Sequence, residues 1–240
     1  MKKIIIFPQK SDYPDEIFRY DLPIEYQVGC AKAYFRTNFI SRKIFIKRIE
    51  EAINLLPDRT FKTALDIGTG AGFFLPTLSR LSDKVHAIDL SPVLKFVKTM
   101  LSRRHIDNVY LSFGDLTNLA YPSNFFDLIV CLSVIEHVED LKLAYTEIHR
   151  VLQKNGILIL GYPIENKIYK FLKGLLGIET IIRTRITREK KPIGQGWFHP
   201  HVSIFEQIEK EIQNFFHIEE TINLGFFLFN LYRVSRLIKK

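Results

Sequence analysis

Hydrophobic positions along this chain follow two patterns: short runs of consecutive apolar residues, and longer stretches in which apolar residues recur every three or four positions. The short runs predict five strands, at 63–67, 85–89, 109–113, 126–131 and 157–161. Helical stretches separate them, and this alternation indicates an α/β fold with a mostly parallel sheet. Two more runs, 217–222 and 225–236, predict a terminal strand pair that completes a Rossmann-like, doubly wound sheet of seven strands.

The helices are marked by apolar spacing and by capping signals. Residues 31–56 and 72–81 have helical spacing, and Asp140 is a predicted N-cap of a later helix. Lys154-Asn155-Gly156 predicts the end of that helix. Ser203-Ile204-Phe205-Glu206 has the capping-box pattern and predicts the start of the next one.

Two stretches lack a clear period and divide the chain into regions. A length of 240 residues suits a single α/β domain with some elaboration, over residues 1–240. Residues 1–29 contain three prolines and are predicted to form an N-terminal arm. Residues 164–202 interrupt the pattern between strands five and six, which predicts an inserted lid segment.

The first strand runs into a turn with three glycines, in the sequence Leu65-Asp66-Ile67-Gly68-Thr69-Gly70-Ala71-Gly72. A dinucleotide site needs a small residue where this chain has Phe73, and no lysine of the P-loop type follows. Glycines without Cβ atoms allow a flat ligand to lie against the backbone. The Asp66 carboxylate suits a cofactor with an ammonium group better than one with a pyrophosphate.

Three further segments follow the turn in a fixed order. They are Ala87-Ile88-Asp89-Leu90, Phe113-Gly114-Asp115-Leu116, and the stretch from Phe125 to Val138, which contains Val134-Ile135-Glu136-His137-Val138. With these segments the chain resembles the class I S-adenosylmethionine-dependent methyltransferases over roughly residues 40–160. The last segment is most similar to the small-molecule type, which includes the methyltransferases of ubiquinone and menaquinone biosynthesis.

The resemblance implies S-adenosyl-L-methionine as the cofactor and assigns a role to each segment. Asp66 and the turn would hold the methionine part, and Asp89, followed by Leu90, would bind the ribose hydroxyls. Asp115 and Leu116 would hold the adenine. The implied cofactor-binding residues are Asp66, Gly68, Thr69, Gly70, Gly72, Asp89, Leu90, Asp115, Leu116, Leu132 and Ser133. Leu132 and Ser133 would close over the cofactor from the fourth strand.

Methyl transfer to a hydroxyl benefits from a base that removes the proton, and histidine is the first residue type to consider. His137 follows the fourth strand, at the edge where open α/β sheets bind ligands. It is the first catalytic candidate, although a role in capping or packing the turn is equally open. His199 and His201 are the second candidates, in a loop that can fold back over the acceptor. No third ligand with suitable spacing accompanies them, so no metal is expected.

The expected acceptor is a small or lipid-linked molecule, methylated on oxygen. Residues 167–176 form an amphipathic face bordered by lysines, which suits peripheral contact with a membrane. The same face could instead cover the acceptor pocket or form a homodimer contact. The sequence leaves these three roles open.

The net charge of +8 raises the alternative of a nucleic-acid or protein substrate. Eight basic residues against three acidic ones lie within 164–198, so an RNA or protein methyltransferase could use the basic segment 183–191. Enzymes of this fold that methylate amino groups of nucleic acids carry an Asn/Asp-Pro-Pro-aromatic motif where this chain has Cys131-Leu132-Ser133-Val134. This difference argues against methylation of a flipped-out base but not against every RNA or protein substrate, and a nucleic-acid partner is not the expected one. An alternative of another class is a non-catalytic cofactor-binding module.

The location is inferred from what the chain contains. It has two cysteines far apart in sequence, which gives no sign of a disulfide framework. It also has no apolar stretch of the roughly 18 residues that a membrane span requires. A cytoplasmic protein is expected.

Overall fold

A seven-stranded sheet forms the centre of the computed structural model, which describes residues 4–18, 35, 39–164, 202–226 and 229–240. The strand order is β3-β2-β1-β4-β5-β7-β6, and β7 alone runs antiparallel to its neighbours. The strands are β1 (Phe61–Ile67), β2 (Ser82–Asp89), β3 (Val109–Phe113), β4 (Phe126–Leu132), β5 (Leu152–Pro163), β6 (Phe216–Phe226) and β7 (Phe229–Lys239). The predicted Rossmann-like α/β architecture is confirmed.

The helices cover both faces of the sheet. They are α1 (Phe39–Asn54), α2 (Leu75–Leu81), α3 (Leu94–Arg103), α4 (Leu141–Val151) and α5 (Phe205–Phe215). Alternate residues of β4 point to opposite faces, as the strand period of two requires. Leu128 and Val130 join the core that contains α1, α2 and α3, whereas Ile129 and Cys131 join the core that contains α4 and α5.

Several local predictions are confirmed. Strand β3 has its predicted bounds, Val109–Phe113. Asp140 caps α4, because its Oδ1 accepts a hydrogen bond from the Leu143 amide at 2.9 Å. Of the predicted helix 31–56, α1 covers Phe39–Asn54, and residues 31–34 and 36–38 lie outside the described residues.

Three predictions about helix ends are wrong, each because another feature of the structure competes with the sequence pattern. Helix α2 begins at Leu75 rather than Gly72, since the preceding glycines form a left-handed turn. Helix α4 ends at Val151 rather than at 154–156, since Leu152 already pairs with Phe126 ahead of a register shift in β5. The predicted capping box of α5 does not form, because the Ser203 hydroxyl bonds to the Val138 carbonyl instead.

Ser203 makes a tertiary contact instead of capping α5. Its Oγ donates to the Val138 carbonyl at 2.7 Å. The amide of Ile204 donates to Oε1 of Gln207 at 3.0 Å, so Gln207 takes the place predicted for Glu206. The start of α5 is thus attached to the loop that follows β4.

The described part of the N-terminal arm, residues 4–18, packs against α2 and α3. The Ile6 amide donates to Thr77 Oγ1 at 2.9 Å, and that hydroxyl donates back to the Ile6 carbonyl at 3.0 Å. Arg104 forms an ion pair with Asp12 at 2.7 Å. The arm is therefore fixed to the helical face by hydrogen bonds at several points along its length.

The predicted insertion lies between β5 and α5, and residues 165–201 are outside the described residues. The amphipathic stretch 167–176 and the basic segment 183–191 fall within it. Among the helices that the structure does describe, none has the length and apolar character needed to cross a membrane.

Candidate cofactor and acceptor site

The glycine turn lies at the carboxyl end of β1 and is held against β2. Gly68, Gly70 and Gly72 have φ of 68°, 53° and 72°, in the left-handed region that favours glycine. The amides of Gly68 and Thr69 both donate to the Ile88 carbonyl, at 2.8 and 3.1 Å. A Cβ on Gly68 would lie 2.2 Å from Val134 Cγ2, so the turn also packs directly against the loop after β4.

Asp66 lies at the start of this turn and is 6% exposed. Burial raises the pKa of its carboxyl to about 7, with Thr69 acting against this shift and the nearby charge of Asp89 adding to it. A buried carboxylate favours a cationic neighbour, because an opposite charge stabilises its ionised form. The turn therefore presents a site that suits an ammonium group.

Asp89 ends β2 and faces the turn. Its Oδ2 accepts from the Gly70 amide at 2.8 Å, and its Oδ1 accepts from the Ser91 amide at 2.8 Å. A carboxylate can accept several hydrogen bonds at once, which suits a ligand with neighbouring hydroxyls such as ribose. The adjoining Leu90 is 57% exposed, which leaves an apolar side chain that a flat ring could cover.

Asp115 and Leu116 follow β3 at the same edge of the sheet. The Asp115 carboxylate is exposed, and its Oδ1 accepts from the amide and hydroxyl of Thr117, both at 2.8 Å. Leu116 is buried in the core on the α4 side. An apolar residue beside an exposed acceptor is the combination that an adenine ring and its amino group require.

Leu132 and Ser133 mark the end of β4. Ser133 has a φ of 59°, unusual for a residue with a side chain, and its amide donates to the Gly161 carbonyl at 2.8 Å. Its hydroxyl accepts from Arg48 Nη1 at 2.6 Å and lies 2.8 Å from the Tyr232 hydroxyl. We name Arg48, Ser133 and Tyr232 the Ser133 bracket, since α1 and β7 together hold the end of β4.

His137 lies in a one-turn 3-10 helix, Ile135–His137, directly after β4. It is half-buried, and the neighbouring Glu136 is 3% exposed. The Glu136 carbonyl accepts from the amides of Val202 and Ser203, at 2.9 and 3.2 Å. The chain therefore returns from the insertion beside the turn that carries His137. His199 and His201 lie outside the described residues.

Three polar residues at this site have no signal in the sequence. Tyr13 donates to the Ala71 carbonyl within the glycine turn, 58 residues away in sequence. Arg48 and Tyr232 contact Ser133 across 85 and 99 residues. Contacts of this range leave no periodic pattern, and we found nothing in the sequence that would have singled these residues out.

The sheet edge thus brings together a glycine turn, two carboxylates and the end of β4. Asp66 and Asp89 lie at the ends of β1 and β2, beside the glycine turn. The half-buried His137 follows Ser133 in the 3-10 helix after β4. The structure places the predicted cofactor residues at one edge, which is where parallel α/β sheets bind ligands. Among the described residues, no group of three or more His, Cys, Asp or Glu side chains could hold a metal ion.

Comparison with known proteins identifies the domain type. The family model of a methyltransferase domain matches residues 65–160. A ubiquinone biosynthesis O-methyltransferase of Xanthomonas oryzae is 31% identical over 122 residues, 50% of either chain. A release factor glutamine methyltransferase of Koribacter versatilis is 28% identical over 144 residues, 53% of this chain and 51% of that one. This chain spans about half the length of these two relatives.

A solved structure gives the same fold over a larger part of the chain. It is the N-methyltransferase NodS of Bradyrhizobium japonicum in complex with S-adenosyl-L-homocysteine. The match has a TM-score of 0.62 at 16% identity and covers 90% of this chain and 99% of that one. Together, the family match, the sheet order and the turn support a methyltransferase domain over residues 65–160, of the class I type that uses S-adenosylmethionine.

Proposed function

We propose that the protein transfers a methyl group from S-adenosylmethionine to an oxygen of a small-molecule or lipid-linked acceptor. The observation that carries this proposal is the glycine turn flanked by two acids, Asp66 and Asp89, at the ligand-binding edge of the sheet. Helix α2 begins only at Leu75 and has seven residues, so its amino terminus does not open at the turn as a pyrophosphate site requires. The site favours a cationic cofactor without phosphate.

The residues present fit that cofactor. Asp66 would pair with the ammonium group, because burial raises the pKa of its carboxyl and a cation beside it would stabilise the ionised form. Asp89 would bind the ribose, with exposed Leu90 against the adenine. Asp115 and Leu116 would contact the adenine on the side opposite Leu90.

On the acceptor side, the protein would act mainly by alignment. The bound cofactor supplies an electrophilic methyl group, so the chain must hold the acceptor oxygen in line with it. The end of β4 is held by the Ser133 bracket, which limits movement where the two ligands would meet. His137 would accept the acceptor proton, a role supported by its position directly after β4.

The acceptor class rests on the loop after β4 and on the relatives. The X. oryzae relative is named as an O-methyltransferase of ubiquinone biosynthesis, which supports an oxygen on a lipid-linked ring. The K. versatilis relative is named as a release factor glutamine methyltransferase, and NodS is named as an N-methyltransferase. The same domain therefore accepts different chemistries, and the acceptor must be measured.

Calorimetric titration with S-adenosylhomocysteine tests the cofactor. We expect wild-type protein to bind it and the Asp89→Ala variant to bind at least about tenfold more weakly, because hydrogen bonds to a charged group contribute about 1.5–3 kcal/mol. Asp83→Ala is the matched control, since Asp83 is exposed at the opposite end of the same strand. Equal affinities for all three proteins would contradict the role of Asp89.

Incubation of the enzyme and S-adenosylmethionine with an extract of its native cell tests the acceptor. A metabolite that gains one methyl group would support the proposal, and methylated RNA or protein would support the alternative. Binding of the cofactor with no methylated product would favour a non-catalytic module. Sedimentation with anionic vesicles tests the membrane contact that a lipid-linked acceptor would require. Wild-type protein should sediment with the vesicles, and a Phe171→Ser, Leu175→Ser variant should do so less.

A further inference from the structure

The peptide between Ala71 and Gly72 is held at both of its polar ends. The Tyr13 hydroxyl donates to the Ala71 carbonyl at 2.6 Å, and this bond is buried. On the other side, the Gly72 amide donates to the Thr69 carbonyl at 2.8 Å. The orientation of this peptide is therefore set partly by the turn itself and partly by the N-terminal arm.

This peptide lies where the backbone has the most freedom to rotate. Gly70 and Gly72 have φ of 53° and 72°, and glycine adopts positive and negative φ with similar ease. A rotation of the peptide would exchange the positions of its carbonyl and amide within the turn. A buried donor facing the carbonyl favours one orientation, because the rotated peptide would lose this hydrogen bond.

The arm places Tyr13 firmly enough for this role. Arg103 Nη1 donates to the Tyr13 carbonyl at 2.8 Å and to the Ser11 carbonyl at 2.9 Å. The Tyr13 ring is 2% exposed and stacks on Phe73, with ring centres 6.2 Å apart and planes at 18°. Phe73 directly follows the last glycine, so the same arm residue contacts the turn through both its ring and its hydroxyl.

We propose that Tyr13 is a positioning residue for the cofactor, acting through the Ala71 carbonyl to keep the glycine turn in the form that receives the methionine part. The proposal rests on the function proposed above, since it needs a cofactor at this turn. Its consequence is that the N-terminal arm belongs to the cofactor site. By thermodynamic reciprocity, cofactor binding must also strengthen the docking of the arm.

The Tyr13→Phe variant removes the hydroxyl and keeps the ring. We expect its affinity for S-adenosylhomocysteine, measured by calorimetry, to fall roughly three- to tenfold, the value of one buried hydrogen bond. Affinity for 5′-methylthioadenosine, which lacks the amino-acid part, should change less than twofold. Equal losses for the two ligands would mean general loosening of the site and would overturn the proposal.

The Arg104→Met variant is the control for arm docking. It removes the ion pair with Asp12 but leaves the Tyr13 hydroxyl in place. We expect it to lower the melting temperature but to weaken S-adenosylhomocysteine binding clearly less than Tyr13→Phe does, because the remaining arm contacts keep the Tyr13 hydroxyl at the turn. If it weakens binding as much as Tyr13→Phe does, the Tyr13 hydroxyl has no specific role and the proposal fails.

Hydrogen exchange of the wild-type protein gives a test that needs no variant. Saturating S-adenosylhomocysteine should slow exchange in the glycine turn and also in residues 4–18. Slower exchange in the turn with an unchanged arm would overturn the proposal while leaving the proposed function intact. Wild-type protein that does not bind S-adenosylhomocysteine would instead refute the proposed function.

Discussion

Asp66 illustrates at the level of one side chain what the cofactor site requires. Its carboxyl is buried, and its pKa is raised from the ordinary 3.8 to about 7. The folded protein therefore binds a proton between these two values that the unfolded chain releases. The resulting stability is fully present below about pH 4 and is lost as the pH rises through about 7.

This linkage predicts a pH-dependent difference between wild type and Asp66→Asn, an amide that mimics the protonated acid. Without cofactor, wild type should lose on the order of 2–3 kcal/mol of unfolding free energy relative to the variant between about pH 5 and pH 8. Urea unfolding at both pH values measures it. The comparison with the variant is needed because burial lowers the pKa of His86 and His149, and this also makes the stability of both proteins depend on pH. A pH-independent difference would contradict this assignment.

His137 gives a second prediction for a single residue. If it removes the acceptor proton, His137→Ala should lower kcat by about 10²–10⁴ and leave the affinity for S-adenosylhomocysteine unchanged. His149→Ala is a suitable control, since that histidine lies on α4 beside Phe215 and Phe216. An unchanged kcat together with a lower melting temperature would assign His137 to packing of the turn.

Individual residues differ in how far the sequence could reveal them. The positions of Asp66 and Asp89 were predictable, because each lies at the carboxyl end of a strand that the apolar pattern marks. Tyr13 and Arg48 were not, because their partners come from tertiary packing between distant segments. Ser203 was predicted as a cap, yet its hydroxyl has a carbonyl from another loop within reach.

Elements far apart in the chain meet at the Ser133 bracket. Helix α1 supplies Arg48, whose guanidinium lies over the rings of Phe45 and Tyr232 at 4.4 and 5.6 Å. Strand β5 approaches closely at Gly161, where a Cβ would lie 2.7 Å from both Leu132 Cδ2 and the Tyr232 hydroxyl. This close packing of β4, β5 and β7 fixes the edge where the ligands would meet.

The bracket predicts a measurable effect of its tyrosine hydroxyl. Tyr232→Phe should lower the unfolding free energy by about 1 kcal/mol, because Ser133 loses one hydrogen-bond partner. It should also weaken S-adenosylhomocysteine binding, since Ser133 is expected to close over the cofactor. Tyr110→Phe, on the exposed edge strand β3, is the control and should change neither quantity. If Tyr232→Phe left the affinity for S-adenosylhomocysteine as unchanged as Tyr110→Phe does, the bracket would have no role in cofactor binding.

Element boundaries were predictable where one signal acted alone. Strand β3 and the Asp140 cap of α4 match because no tertiary contact competes with the local pattern there. The start of β5 was missed because residues 154–156 have the sequence pattern of a turn. In the structure these residues lie within β5, at the register shift that follows Leu152. The order β5-β7-β6 depends on the pairing of β5 with β7, which are distant in sequence, and periodicity does not encode that pairing.

At the scale of the whole molecule, a ligand that binds the folded state alone raises its stability by mass action. S-adenosylhomocysteine at a hundredfold excess over its dissociation constant should raise the unfolding free energy by about 2.7 kcal/mol. Urea unfolding with and without the ligand measures this change. Asp89→Ala at the same ligand concentration should gain clearly less. The same gain in both proteins would mean that the ligand binds elsewhere.

The last strand has a consequence for how the protein is made. Tyr232 lies in β7, which is inserted between β5 and β6, yet its hydroxyl completes the bracket around Ser133 at the end of β4. Synthesis proceeds from the N-terminus at about 5–20 residues per second, so the glycine turn leaves the ribosome well before β7 exists. A growing chain therefore has its cofactor turn well before the strand that completes the bracket. Until β7 is made, β5 lacks the partner strand that it has in the folded protein, and an unpaired strand edge favours aggregation.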